Sequence, residues 1–339
     1  MIDTDRQSYY RHGVLPIVSA SALWAFGYFV RKLLLVDISA VWLSFVTSLL
    51  ACVMISVQYH PHVRTVWATF GKRPVLYVAL ACSGTVCGTT LMYFGLERID
   101  LGVASILEKL QPVFTLIFGA ALLRERVSKV KILFVAVALA AACVLTTKHI
   151  RLPEHADFSV LGALAVVGAA ASWGLAAVIG KMALNAEDAP EVLAILRFGV
   201  ASLLLLPVVL GWPSSHARVV SGRDVALIVG AAYFSTVQGY MLYYKGLRYV
   251  SAGVSGFLEL VTPIVALALG VTLLSEHMTR AQAVAAPVLL VAVLLLARRD
   301  TGRVLGGRRT QGLSGSDGEM FLRSRTAKDK DHLGGRDVS

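Results

Sequence analysis

Two glutamates, Glu108 and Glu259, lie deep within apolar stretches of the sequence. Each precedes a proline by four residues, Pro112 and Pro263, and proline lacks the N–H that would bond the carbonyl oxygen of the glutamate. We therefore expect a carboxylate beside an unpaired carbonyl oxygen at each position, which suits a proton or a cation. A charged side chain within a bilayer costs about 3 kcal/mol, so two of them predict a function. The alternative is that each carboxylate is neutral or paired and only joins helices.

Three cations are candidate partners for these carboxylates: Lys109, Arg197 and Lys245. Arg197 is the strongest candidate, because it lies inside an apolar segment where it can meet an anionic group of a solute or hold a glutamate. Alternatively, its long side chain reaches the nearby membrane interface. Ser44 occupies the corresponding position in the first half of the chain, so we expect an asymmetric site.

Aromatic and polar residues of the same segments are candidate walls of a cavity that contacts a solute. They are Trp24, Trp173, Tyr93, Tyr244, Gln238 and Tyr240. Aromatic residues of membrane proteins are more often interface anchors or packing groups, and that interpretation stands beside the first.

Composition identifies the kind of element that must position these side chains. Of the 339 residues, 56% are hydrophobic and 16% are charged, and the mean hydropathy of +0.69 excludes an ordinary soluble domain. A helix needs about 20 apolar residues to cross a hydrocarbon core of about 30 Å. Suitable segments are 13–30, 38–57, 74–96, 103–123, 131–147, 158–184, 192–212, 225–247, 252–275 and 279–297. The sequence thus predicts an all-α integral membrane protein with ten transmembrane helices.

Residues 85–125 and 236–276 are copies of one unit, because they align without gaps and 17 of the 41 positions are identical. Five spans per half is an odd number, so two copies joined head to tail enter the membrane in opposite directions. The sequence therefore predicts two inverted five-helix repeats. Such repeats enclose a substrate site near the middle of the bilayer.

The duplication divides the chain into consecutive parts. We assign residues 1–12 to a cytoplasmic N-terminus, 13–147 to the first repeat, 148–157 to a connecting loop, 158–298 to the second repeat, and 299–339 to a basic cytoplasmic tail that we expect to be disordered. Lysine and arginine are more frequent in the segments assigned to the inside, which favours cytoplasmic termini. The net charge of +11 is therefore explained by membrane orientation, and we expect no nucleic-acid partner.

The sequence contains no motif for a cofactor, a metal or a catalytic nucleophile. The four cysteines lie in apolar segments without the spacing of a metal site, and neither a Ser/His/Asp set nor a phosphate-binding loop is present. We therefore expect no cofactor, no metal and no enzymatic activity.

A glutamate ends the apolar segment in each copy, Glu125 in the first and Glu276 in the second. A carboxylate is unfavourable at a helix C-terminus, so we expect a specific partner for it. Together with the matching stretches from Trp24 to Lys32 and from Trp173 to Lys181, and with Arg197 between Leu and Phe, this pattern resembles the EamA-type members of the drug/metabolite transporter superfamily.

The resemblance covers about residues 13–298. It implies ten helices in two inverted halves, and export or exchange of small metabolites, amino acids or drugs across a plasma membrane or a bacterial inner membrane. The intramembrane pair Glu108 and Glu259 departs from the family pattern and indicates an ion-coupled subgroup.

We therefore expect a secondary transporter in which a proton or cation at Glu108 and Glu259 biases the inward-open and outward-open states. Its partners are a small-molecule substrate and the lipid bilayer, whereas the sequence leaves the oligomeric state open. The alternatives are a non-transporting membrane scaffold whose tail recruits partners and an intramembrane enzyme.

Overall fold

The computed structural model describes residues 7–34, 40–96, 98–99, 101–146, 159–186, 188–211, 221–273 and 278–299. Residues 1–6 of the N-terminus, the connecting loop 148–157, residues 300–339 of the tail, and Glu276 lie outside these ranges. All regular secondary structure within the described ranges is helical.

The helices of the first half follow one another with short connections. They are α1 (Leu15–Leu34), preceded by a π-helical turn at Tyr10–Val14, α2 (Ala40–Gln58), α3 (His60–Lys72), α4 (Pro74–Ala81), a π-helical segment at Cys82–Cys87, α5 (Gly88–Leu96), α6 (Leu101–Glu108), α7 (Gln111–Leu123) and α8 (Lys129–Thr146).

The elements described in the second half follow the same order, and residues 212–220, between α10 and α11 where the first half has α3, lie outside the described ranges. Its elements are α9 (Val160–Asn185), α10 (Pro190–Gly211), α11 (Gly222–Ala231), a π-helical segment at Ala232–Gln238, α12 (Gly239–Leu247), α13 (Ala252–Leu258), a 3₁₀ turn at Glu259–Val261, α14 (Thr262–Leu273) and α15 (Arg280–Arg299).

Eight helical spans of the described residues are long and apolar enough to cross a bilayer. They are Val41–Gln58, Pro74–Met92, Ile106–Leu123, Lys129–Thr146, Val160–Asn185, Pro190–Gly211, Gly222–Leu247 and Arg280–Arg299. These spans confirm the prediction of an all-α integral membrane protein. The count of ten depends on two further segments: α1, which carries Arg31 and Lys32 near its end, and the shorter apolar stretch Ala252–Ala268.

Two spans are broken at the positions where the sequence places proline. In the first half, α6 ends at Glu108 and α7 begins at Gln111, and the amides of Lys109 and Leu110 bond carbonyl oxygens three residues back, at 3.0 and 3.1 Å. In the second half, the 3₁₀ turn Glu259–Val261 replaces a continuous α-helix. Because Pro112 and Pro263 cannot donate the regular backbone bond, the chain tightens before each of them.

Helix α9 packs against α5 and α7, while α10 packs against α2 and α12 against α1. The contact of α9 with α7 is close because Gly174 has no side chain: a Cβ there would come within 2.9 Å of the backbone nitrogen of Thr115. Small residues allow such backbone approach between membrane helices. The start of α7, next to the break between α6 and α7, therefore packs directly on the backbone of α9.

Candidate functional site

A cavity of about 130 Å³ lies between helices of the two halves. The first half contributes polar groups from α2 and from the π-helical segment Cys82–Cys87, and the second half contributes a cation, an anion and aromatic rings. The wall residues that bear on the chemistry are Trp24, Ser44, Thr47, Ser48, Thr85, Gln111, Trp173, Arg197, Tyr240, Tyr243 and Glu259. A cavity with a few convergent polar groups and aromatic walls is the usual form of a small-molecule site.

Arg197 supplies the positive charge of the cavity from α10, and only 3% of the residue is exposed. Its Nε donates a hydrogen bond of 3.2 Å to Oγ1 of Thr85, and its Nη1 donates one of 3.0 Å to the hydroxyl of Tyr244. Its Nη2 donates to the carbonyl oxygen of Gly84 at 2.9 Å and to the hydroxyl of Tyr240 at 3.2 Å. All these acceptors are neutral, so the guanidinium is held in place by neutral hydrogen bonds.

No carboxylate of the described residues forms an ion pair with Arg197. With only 3% of the residue exposed, the side chain does not reach the membrane interface. It makes no direct ion pair with Glu108 or Glu259, but its charge acts on Glu259 across the cavity. The guanidinium stays inside the bundle because it is surrounded by hydroxyl and carbonyl oxygens that accept its hydrogen bonds. A desolvated cation that no carboxylate contacts directly favours an anionic ligand.

Aromatic rings form the wall next to this cation. The guanidinium carbon of Arg197 lies 4.4 Å from the ring centroid of Tyr240, and that ring lies 5.1 Å from those of Trp24 and Phe198. The indole Nε1 of Trp24 is buried and has no hydrogen-bond partner among the described residues. A buried donor without a partner is unfavourable.

Glu259 supplies the negative charge of the cavity from the 3₁₀ turn. Nε2 of Gln111 donates a hydrogen bond of 2.8 Å to its Oε2. Its Oε1 is buried and lacks a partner with hydrogen-bond geometry in the described part of the chain. The side chain of Tyr243 lies beside the same cavity, and its hydroxyl is 3.4 Å from Oγ of Ser255. One oxygen of the carboxylate is thus held by Gln111, and the carboxylate also interacts with the hydroxyl of Tyr243 and the guanidinium of Arg197.

The unpaired carbonyl oxygen expected beside Glu259 is absent. Its carbonyl oxygen accepts hydrogen bonds from the backbone nitrogen of Thr262 and, at 2.7 Å, from the Oγ1 of the same residue. The 3₁₀ turn supplies a donor three residues on, at Thr262, in place of the donor that Pro263 removed. The carboxylate, and not the carbonyl group, is the free acceptor at this position.

Glu108 has a different environment from Glu259. Its Oε2 lies 3.9 Å from Nζ of Lys109, and both side chains are 13% exposed. Glu108 is not among the residues that line the cavity. The structure therefore brings Glu259 and Arg197 to one cavity, whereas Glu108 pairs with its own neighbour in the chain.

The candidate residues Gln238, Pro112, Pro263 and Lys245 do not line the cavity. Nε2 of Gln238 donates a hydrogen bond of 3.3 Å to Oε1 of Gln58 rather than facing the cavity. Pro112 and Pro263 are buried at the two helix breaks. Nζ of the exposed Lys245 lies 3.8 Å from Oε1 of Glu191.

Glu125 has specific partners at the end of α7. Its Oε1 accepts a hydrogen bond of 2.7 Å from the amide of Ala252, and its Oε2 accepts one of 3.1 Å from the amide of Gly253. These amides begin α13, so the carboxylate caps a helix of the other half. Nζ of Lys131 lies 3.9 Å from the same carboxylate.

The two halves exchange equivalent contacts. A Cβ at Gly239 would come within 2.7 Å of Nε1 of Trp24, and one at Gly88 would overlap Nε1 of Trp173. In the sequence alignment Trp24 corresponds to Trp173, and Gly88 to Gly239. Each tryptophan therefore packs on the glycine that belongs to the opposite half.

Sequence reasoning missed Gln111, Thr85 and Tyr243. Gln111 carried the clearest signal, because it is a polar residue inside an apolar span directly before Pro112. The sequence offers no comparable signal for Thr85, because hydroxyl residues in apolar spans commonly bond their own helix.

Within the described ranges, no group of three His, Cys, Asp or Glu side chains is close enough together to hold a metal ion. The four cysteines are free thiols.

Comparison with known proteins links this fold to transport. The chain is 25% identical over 294 residues to the riboflavin transporter ImpX of Fusobacterium nucleatum. That alignment covers 84% of this chain and 97% of the relative. The chain is 26% identical over 224 residues to an uncharacterised transporter of Archaeoglobus fulgidus, covering 65% of this chain and 76% of that one. A solved crystal structure shares the fold with a TM-score of 0.72 at 19% identity, over 84% of this chain and 97% of that one.

The family comparison matches both halves separately. The EamA-like transporter family matches residues 11–147 and again residues 160–298. These matches and the relatives named above support a membrane transporter rather than an enzyme. The chain belongs to the EamA-like transporter family.

Proposed function

We propose that the protein is a secondary transporter that moves a small anionic or zwitterionic solute by alternating access. The observation that carries this proposal is Arg197, a buried cation that lines the cavity and has no carboxylate of the described residues within ion-pair distance. Hydrogen bonds to a charged group are about twice as strong as those between neutral groups, so a carboxylate or phosphate of a solute would gain from this site.

The proposed architecture is ten spans in two inverted repeats. The reciprocal contacts Trp24 with Gly239 and Trp173 with Gly88 support it, because a twofold relation makes each contact occur twice. The π-helical segments Cys82–Cys87 and Ala232–Gln238 occupy matching places in the two halves and bring Thr85 and Thr236 to the cavity. Such repeats can rock about a central site and open it to either side.

The solute class follows from the walls of the cavity. Arg197 would bind the anionic group, Nε1 of Trp24 would donate a further hydrogen bond, and Tyr240 would stack on an apolar or planar part of the solute. Metabolites, amino acids and drug-like solutes with a carboxylate fit this description. Riboflavin, named for the relative from Fusobacterium nucleatum, is a second test solute because of its planar ring system.

Glu259 is the proposed site of coupling to a proton or cation. The sequence suggested both Glu108 and Glu259, but among these two only Glu259 lines the cavity. Its free Oε1 would take a proton, a cation or the ammonium group of a zwitterionic solute. Glu108, paired with Lys109, then serves as a matched control within the same protein.

Transport measured in proteoliposomes tests the proposal. Uptake of a labelled carboxylate-containing solute, with riboflavin assayed in parallel, should depend on an imposed pH gradient. Arg197→Gln should abolish uptake, Glu259→Gln should remove the dependence on the gradient, and Glu108→Gln should leave that dependence unchanged. Equal coupling in the Glu259→Gln and wild-type proteins would refute the coupling site.

The cell location and the competing functions need separate measurements. We propose a plasma membrane or a bacterial inner membrane with both termini in the cytoplasm, which reporter fusions at each end would test. Deletion of the residues after Arg309 separates a scaffold from a transporter: a scaffold loses its role, whereas a transporter keeps its flux.

A further inference from the structure

A second cavity lies on the membrane-facing side of the bundle, in a groove between α1 and α15. Its volume is about 720 Å³. Its rim is open, because Leu15, Leu290 and Leu294 are 59%, 45% and 42% exposed. Its floor is made by buried apolar residues, including Val261 and Val293.

The polar groups of this groove are gathered at one end. Gln7, Tyr10 and Arg11 lie on the turns that lead into α1, and the apolar lining follows them along the helix. The hydroxyl oxygen of Tyr10 is buried and has no hydrogen-bond partner in the described residues. An unpaired buried hydroxyl is unfavourable, so this position calls for a ligand group or a water molecule.

The charge at this end is positive. Arg11 lines the groove, whereas Arg298 and Arg299 follow Ala297 without lining it, and the guanidinium carbon of Arg299 lies 5.8 Å from the ring centroid of Phe134. None of the lining residues that the structure describes is acidic. The groove therefore combines a cationic polar end with a long apolar trough, which complements an anionic amphiphile.

The groove runs along part of one leaflet of a bilayer. From Arg11 to Val18 the helix rises about 10 Å at about 1.5 Å per residue. That is about a third of a hydrocarbon core of about 30 Å. An acyl chain that enters at Arg11 would therefore lie along α1 within one leaflet.

We propose that this groove binds one acyl chain of an anionic phospholipid, with the phosphate at Arg11 and Tyr10. The chain then follows α1 and α15 to Val261, two residues after Glu259. The lipid thus contacts the same helix break that carries the carboxylate of the central cavity. This site is separate from the cavity of Arg197, and it does not depend on the transported solute.

Photo-crosslinking tests the proposal on the full-length protein in nanodiscs. Phosphatidylglycerol with a diazirine in one acyl chain should label residues 14–18 and 290–294 several-fold more than the exposed positions Leu203 and Leu210 of α10. Phosphatidylcholine with the same chain should label the groove several-fold less, and inorganic phosphate should not compete. Equal labelling of both regions by both lipids would mean ordinary boundary lipid and would overturn the proposal.

Variants make this test specific. Arg11→Gln and Tyr10→Phe should each lower groove labelling several-fold, and Leu294→Trp should lower it by filling the trough. The matched controls, Arg64→Gln and Tyr233→Phe, are exposed and remote in sequence, and should not change it. Elution as a single peak on size exclusion checks that each variant is folded. If labelling appears only after deletion of the residues beyond Arg309, the tail occupies the groove and the lipid proposal is wrong.

Discussion

Nε2 of Gln111 lies 2.8 Å from Oε2 of Glu259, and this hydrogen bond joins the helix break of the first half to the helix break of the second. The alignment of the halves pairs Gln111 with Thr262, whose Oγ1 bonds the carbonyl oxygen of Glu259 instead of a carboxylate across the bundle. Two matching positions thus make different contacts. The pseudosymmetric frame therefore holds an asymmetric pair of carboxylates.

Removing the donor at this contact should destabilise the protein. In Gln111→Ala the Oε2 of Glu259 loses the hydrogen bond from Nε2 of Gln111, and a buried acceptor without a partner costs about 1–3 kcal/mol. A double-mutant cycle with Glu259→Ala should give a coupling energy of about 0.5–3 kcal/mol in thermal or denaturant unfolding. Gln238→Ala, which removes a more exposed Gln–Gln contact of 3.3 Å, is the control. Additive effects in the cycle would show that the contact does not contribute.

Lysine should not replace Arg197. A lysine ammonium cannot bond Gly84, Tyr240, Tyr244 and Thr85 at once, because it lacks the planar fork of the guanidinium. We expect Arg197→Lys to raise the KM for the solute at least about tenfold, a loss of about 1.4 kcal/mol in binding. Proteoliposome uptake at varied solute concentration measures this change. Arg248→Lys, on an exposed residue, should transport normally, and wild-type KM in Arg197→Lys would argue against anion binding at this position.

A methyl group at either reciprocal glycine should disturb the contact between the halves. Gly239→Ala places a Cβ within 2.7 Å of Nε1 of Trp24, so the indole must move. Gly88→Ala acts in the same way on Trp173, and overpacking of this kind costs about 1–3 kcal/mol. Melting temperature and transport should fall together in both variants.

The control for these glycine variants is Gly230→Ala. No atom lies within 4 Å of a Cβ at Gly230, which is in α11. Alanine is favoured over glycine inside a helix by about 1 kcal/mol, so this variant should be neutral or slightly more stable. A melting temperature for Gly239→Ala equal to that of Gly230→Ala would contradict the packing argument.

Removal of the carboxylate that caps α13 should also destabilise the fold. Glu125→Ala leaves two helix N-terminal amides without their acceptor and the buried Lys131 without its carboxylate, which we expect to cost about 3 kcal/mol. Glu125→Gln keeps one carbonyl acceptor and should lie between Glu125→Ala and wild type in denaturant unfolding. Glu191→Gln, whose partner Lys245 is exposed, should have a small effect. A similar loss for Glu125→Ala and Glu191→Gln would show that the cap is unimportant.

Much of the architecture was predictable because it depends on local chemistry. Long apolar stretches identify membrane spans, and proline removes a backbone donor wherever it stands, so the breaks at Pro112 and Pro263 follow from the sequence itself. The duplicated stretch likewise indicates that the two halves have the same order of helices. The alignment does not show which side chains of one half contact side chains of the other half.

The sequence by itself determined that this protein is helical, membrane-spanning and duplicated, with charged groups inside its spans. Only the tertiary structure decided that Arg197 is held by Thr85 and Tyr244 and not by a glutamate, that Gln111 bonds Glu259, and that Glu108 pairs with Lys109. The reason is that spans are apolar on nearly all faces, so periodicity does not tell the lipid side from the bundle side. The partners of Arg197 and Glu259 come from helices far apart in the chain, and helix packing alone brings them together.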